Sequence, residues 1–179
     1  MNDRALPEAL AAAHAVEFDY DEGNGVDYEP YDEFATAEDT ADWIRAWTGN
    51  TALTGAEFRV FGQDGTGGYA AFWLVRPDAE LTAQPVVFLG SEGEKGVVAA
   101  DLGAFLWLLA DGSGPMEAVE YPSQESRPNA ELRAVAQAHA SASPHRRAED
   151  VIAAARAEFP GFAGMIDGWC RFEPLTSEA

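Results

Sequence analysis

Hydrophobic positions change their spacing several times along the chain, and each change marks an element. Residues 6–16 are dominated by alanine and leucine with Glu8 near the start, which predicts a short helix of high intrinsic propensity. Thr36 followed by Asp39 has the form of a capping box with Asp in place of Glu, and Trp43, Ile44 and Trp47 then fall at helical spacing before Gly49 and Asn50. A second helix is predicted there, with its aromatic stripe turned to the core. From Glu57 the pattern becomes β: Phe58, Val60 and Phe61, a glycine-rich stretch over 62–68, then aromatic and branched residues over 69–76. Residues 85–89 and 96–100 predict two further strands around a polar turn at 90–95.

Asp101 is placed to cap an apolar helix over 102–110, and the run from Asp111 through Gly112, Ser113 and Gly114 to Pro115 ends it. Pro122 and Pro128 punctuate a polar connector. Asn129 predicts the cap of a helix reaching about Ala140, and Val151, Ile152, Ala155 and Phe159 share one face of another before Pro160 and Gly161. The expected fold is α+β, a central antiparallel meander of about four strands flanked by helices, with a C-terminal helical extension. At 179 residues the chain fits one domain spanning 1–179. Within it lie an acidic segment at 17–42, a sheet core at about 57–110 and the extension at about 116–172.

Charge changes this picture most. The chain carries 31 acidic and 11 basic side chains, a formal charge of −20. Such a balance repels a polyphosphate backbone and forgoes counterion release, so direct nucleic-acid binding is not expected. A basic protein would instead be drawn in, over a range set by a Debye length of about 8 Å at physiological salt. The alternative is that acidity serves solubility alone. The acids are unevenly spread: no Lys or Arg lies between Arg4 and Arg45, while Glu17, Asp19, Asp21, Glu22, Asp27, Glu29, Asp32, Glu33, Glu38, Asp39 and Asp42 gather around Tyr20, Tyr28, Tyr31 and Phe34. Gly23, Asn24 and Gly25 centre this segment on a turn, which predicts an ordered surface element.

Catalytic and metal motifs find no anchor in the chain. Residues 19–30 are not an EF-hand loop, because Gly23 and Asn24 stand at a ligand position and at the required glycine, and Pro30 replaces the bidentate Glu. The 62–68 stretch lacks the Lys-Ser/Thr ending of a P-loop and puts Asp64 where phosphate would sit, so it reads as a turn. His14, His139 and His145 are scattered, and no Gly-x-Ser-x-Gly elbow is present. Glu92 and Glu94 fall in a predicted exposed turn. Cys170, the only cysteine, reads as a small buried thiol beside Trp169 and Phe172, and with no disulfide to form a reducing, cytoplasmic compartment is expected. The most apolar run, 102–110, is about half the ~20 residues of a membrane-spanning helix. No catalytic residue, cofactor or metal is expected, and an enzymatic role would need a pocket the sequence does not reveal.

One resemblance adds to this reading. Phe61-Gly62, Asp64-Gly65, Gly67-Gly68-Tyr69 and Phe72-Trp73-Leu74 come in the order and spacing of the SMI1/KNR4 (SUKH) superfamily. Residues 85–94 resemble its next strand and turn, followed by Val97-Val98-Ala99 and a helix with Phe105-Leu106 and Leu108-Leu109. The resemblance covers the sheet core and leaves the acidic segment and the region after Pro115 unmatched. It implies an α+β fold, and because bacterial members of the superfamily act as immunity proteins against toxins that are often nucleases, it implies a basic toxin as partner. The superfamily also holds regulatory scaffold proteins, the alternative reading. On the toxin reading, the candidate contacts are Asp19, Asp21, Glu22, Asp27, Glu29, Asp32 and Glu33, with Tyr28 and Tyr31 as aromatic anchors.

Overall fold

The computed structural model describes residues 4–171. A five-stranded antiparallel sheet has the order β1 (Glu29–Pro30), β2 (Phe58–Gln63), β3 (Tyr69–Trp73), β4 (Val86–Leu89) and β5 (Lys95–Ala99). Each strand pairs with its neighbour in sequence, so the sheet is the expected meander with one strand more than expected. The helices are α1 (Glu8–His14), α2 (Ala37–Thr48), α3 (Leu102–Ala110), α4 (Pro115–Glu120), α5 (Ala130–His139), α6 (Ala148–Glu158) and α7 (Phe162–Cys170).

Both faces of the sheet are covered, which is why its strands read as apolar runs without clean alternation. Ala70, Phe72, Val86 and Phe88 turn to one side, where they meet Leu10 of α1, Phe105 and Leu109 of α3 and Leu132 of α5. Ala71, Trp73, Val87 and Leu89 turn to the other, against Ile44 of α2 and Phe162 and Ile166 of α7. A bulge between Val60 and Gly62 lets β2 serve both sides. Val60 joins the α2 side, while Phe61 turns to the α1/α3 side and packs on Phe72 (5.1 Å between ring centres) and Phe105 (5.7 Å). The sheet edges are managed differently. α6 lies along β5 and contributes to both apolar clusters, whereas β1 is two residues long and ends in a proline.

The predicted caps form. The Thr36 hydroxyl oxygen accepts from the Asp39 N–H, Asp101 accepts from the Ala104 N–H, and Asn129 accepts from the Glu131 and Leu132 N–H groups. Asp39 departs from the reciprocal box: its shorter side chain accepts from the Thr36 hydroxyl at 2.6 Å. α4 and α7 are additions to the expected elements, and Cys170, expected to be buried, is exposed at the end of α7. Phe172, its expected neighbour, lies outside the described residues. No helix among the described residues is long and apolar enough to cross a membrane.

Candidate functional site: an acidic groove beside the first strand

The acidic segment folds into three consecutive pieces with different surroundings. The first is a closed turn. Val26 N–H returns to the Asp19 carbonyl at 2.9 Å, Asp21 and Glu22 take left-handed backbone angles, and a side chain on Gly25 would strike the Asp19 carbonyl. Asp21 pairs with Arg127 at 3.1 Å, and Asp19 and Asp21 line a small recess with Leu109 of α3 and Leu132 of α5, Glu22 being exposed on the same turn. The exposed aromatic here is Tyr20, which the sequence pattern does not single out.

The second piece is structural. Asp27 N–H donates to Glu117 Oε1 (2.7 Å), and Asp27 Oδ1 accepts from Gly65 N–H (2.8 Å). Tyr28 corrects the expectation of an anchor, since it is only 5% exposed. Its ring lies over Gly62, where an added Cβ would fall within 2.8 Å of it. This close approach accounts for the glycine after Phe61. The Tyr28 hydroxyl meets His14 Nε2 at 2.8 Å, while His14 Nδ1 lies 2.8 Å from the Tyr31 carbonyl oxygen. A carbonyl can only accept, so Nδ1 carries the proton, and Nε2 accepts from Tyr28. The imidazole is therefore held neutral. Burial lowers its pKa to about 4, against the opposing pull of the Tyr31 carbonyl and Asp32.

The third piece borders a groove of about 950 Å³ between β1 and α2. Tyr31, Asp32 and Glu33 line one side, and Asp39, Asp42 and Trp43 of α2 the other, with Val60 and Tyr69 of the sheet between. The Tyr31 hydroxyl donates to Gln63 Oε1 (2.6 Å), and Gln63 Nε2 donates to Glu29 (2.7 Å), so the ring is fixed in place. Partial burial, then Tyr69, Glu29 and Asp39, push the Tyr31 pKa up to about 12. Trp43 tilts against Tyr69 with ring centres 5.1 Å apart. The groove already holds one cation of the chain's own: Arg4 Nη1 pairs with Glu33 at 2.8 Å and Arg4 Nε donates to the Phe34 carbonyl at 2.8 Å.

The structure thus brings Tyr31, Asp32 and Glu33 together, leaves Asp19, Asp21 and Glu22 on a different part of the surface, and uses Asp27, Tyr28 and Glu29 as ties between them. Trp43 and Tyr69, which the sequence pattern assigns to the core and to a strand, are wall residues of the groove. Among the described residues no cluster of three or more His, Cys, Asp or Glu side chains could hold a metal ion. The glycine-rich 62–68 stretch is the expected turn, and its inward N–H groups are taken by Asp64, which accepts from Thr66 N–H (2.9 Å) and Gly68 N–H (2.7 Å).

Glu117 and His14 impose opposite pH dependences on the anchoring of this segment. Burial raises the Glu117 pKa to about 6, and its Oε2 has no hydrogen-bond partner. The folded state then holds the Glu117 proton more tightly than the unfolded chain, so this contribution is full at low pH and is lost as pH rises toward 6. His14 behaves in the reverse sense, its contribution being lost as pH falls from 6.5 toward 4. Urea titrations from pH 4.5 to 7 check the first: the stability of Glu117→Gln relative to the parent rises by about 2 kcal/mol across that range. A flat difference would mean that Glu117 titrates normally.

No family model, curated protein or solved structure matches the chain.

Proposed function

We propose that the chain is an immunity protein of SMI1/KNR4 (SUKH) type, which binds a cognate basic, nuclease-like toxin and blocks it by occlusion. The observation that carries this reading is the acid-walled groove between β1 and α2 in a chain of charge −20. A nuclease keeps a basic surface for its polyanionic substrate, and an acidic protein competes for that surface through the same electrostatics while raising its own association rate. The resemblance supports the reading further. Its motif residues occupy β2, the turn at 62–68, β3, β4, β5 and α3, and the middle of the unmatched acidic segment, β1 with Tyr31 and Ala35, is bonded along the β2 edge of that unit.

Co-expression with the product of the neighbouring reading frame is the test. The expected result is growth restored by this chain, together with a complex of the two purified proteins that weakens as ionic strength rises. Toxicity undiminished by the chain, with no complex formed between the purified proteins, would overturn the proposal.

A further inference from the structure

We infer that the groove between β1 and α2 is a receptor for a cationic side chain carried on an extended basic segment of the partner protein. The inference rests on the toxin-binding reading above for the identity of the partner, and on the groove itself for the chemistry. Tyr31, Trp43 and Tyr69 supply aromatic surface, and Asp32, Asp39 and Asp42 supply negative charge around it. Aromatic faces and carboxylates together favour a guanidinium or ammonium on an aliphatic stem, through cation–π attraction and charge-assisted hydrogen bonds. At about 950 Å³ the groove is larger than one such side chain needs and admits a short stretch of peptide.

The mode of entry follows from the backbone. An edge strand ordinarily invites a further strand, but here Pro30 has no N–H, the Tyr31 N–H donates to the Phe61 carbonyl at 3.0 Å, and the Tyr31 carbonyl is taken by His14. At Pro30 and Tyr31 no main-chain donor is left for an added strand, which favours recognition through side chains. Arg4 shows that a guanidinium is accommodated here, since it is already held by Glu33 and the Phe34 carbonyl. The Asp32 and Asp42 side chains are exposed at the groove, Asp42 being met only loosely by Arg45 at 3.6 Å, while Asp39 Oδ2 already accepts from the Thr36 hydroxyl.

Calorimetry with the full chain and a nine-residue peptide carrying three arginines spaced by glycines tests this, with the same peptide carrying citrulline as the neutral control. Binding of the arginine peptide is expected, with no binding of the citrulline one. The double variant Asp32→Asn/Asp42→Asn is expected to lose about tenfold in affinity. Both side chains are exposed and neither caps a helix, so circular dichroism should be unchanged. The triple variant Asp19→Asn/Asp21→Asn/Glu22→Gln, which removes more charge from the separate turn, is expected to change affinity less than threefold. An equal or larger loss in the triple variant would overturn the inference, because attraction would then follow net charge and not the groove. So would binding of the citrulline peptide. The two proposals fail separately: groove variants that protect against the toxin as well as the parent does sink the receptor and spare immunity, whereas peptide binding without protection does the reverse.

Discussion

Replacing Phe61 by alanine is expected to destabilise the fold by about 3–5 kcal/mol, the upper range for a single truncation in a core. Phe61 is fully buried. It stands at the bulge of β2, the point where that strand crosses from one apolar cluster to the other, and its ring meets those of His14, Phe72 and Phe105 with centres 6.0, 5.1 and 5.7 Å away. Truncation opens a cavity beneath β1 that these rigid rings cannot collapse into, so the transfer loss and the cavity cost add. The fall in melting temperature should be on the order of 10 °C for a chain of this size. Phe61→Leu fills most of the volume and is expected to cost about 1 kcal/mol. Urea denaturation of the two variants measures both. A loss below about 1 kcal/mol in Phe61→Ala would mean that the bulge does not hold the two layers together as described.

The same residue shows what is legible in the sequence. Strong apolar runs, caps and glycine turns announce β2 to β5, α2, α3, α5 and α6, because each of those elements is long enough to carry its own period or its own cap. β1 has only Glu29 and Pro30, and pairs with Gln63 and Gly62. Two residues have no period, and only the partner strand makes them a strand. α4 is hidden by Pro115, which ends one helix in sequence terms and opens another in fact, since proline is well suited to the first turn. α7 goes unannounced because Gly164 and Gly168 weaken its local propensity, and what holds it is tertiary: Phe162 and Ile166 are buried against the sheet, with Met165 and Trp169 packed beside them.

The candidate site is half legible for a related reason. Acidity along 17–42 is a property of the chain, but grouping depends on how the chain folds back. The turn at 19–26 carries three acids toward Arg127, and the 31–33 stretch carries the others toward α2. Tyr28 and Tyr31 are equally plausible anchors in sequence, separated by three residues. The glycine at position 62 admits one ring into the core, and the Gln63 side chain holds the other at the groove. Trp43 reads as core because large apolar residues usually are, and it is indeed half-buried, with an indole N–H that has no acceptor.

Asp64→Ala should be nearly as damaging as the loss of Phe61, at about 3 kcal/mol, although it removes a charge from a chain burdened with negative charge. Asp64 is 2% exposed, and besides the Thr66 and Gly68 N–H groups it accepts from the Thr66 hydroxyl. Truncation leaves the buried Gly68 N–H without a partner. Gly68 cannot move to recover one, because Phe88 and Gly90 already stand within 3 Å of where its side chain would be. The consequence reaches the acidic segment, since Asp27 is tied to the same turn through Gly65 N–H. Hydrogen exchange on Asp64→Ala should therefore show faster exchange at Gly65 and Gly68 and at Asp27 and Tyr28, with α5 unaffected below the global unfolding limit. Asp64→Asn keeps one acceptor oxygen and is expected to recover about half of the lost stability. If the alanine variant were as stable as the parent, the turn would be organised by its glycines alone and the buried carboxylate would have no part in setting the β2–β3 register.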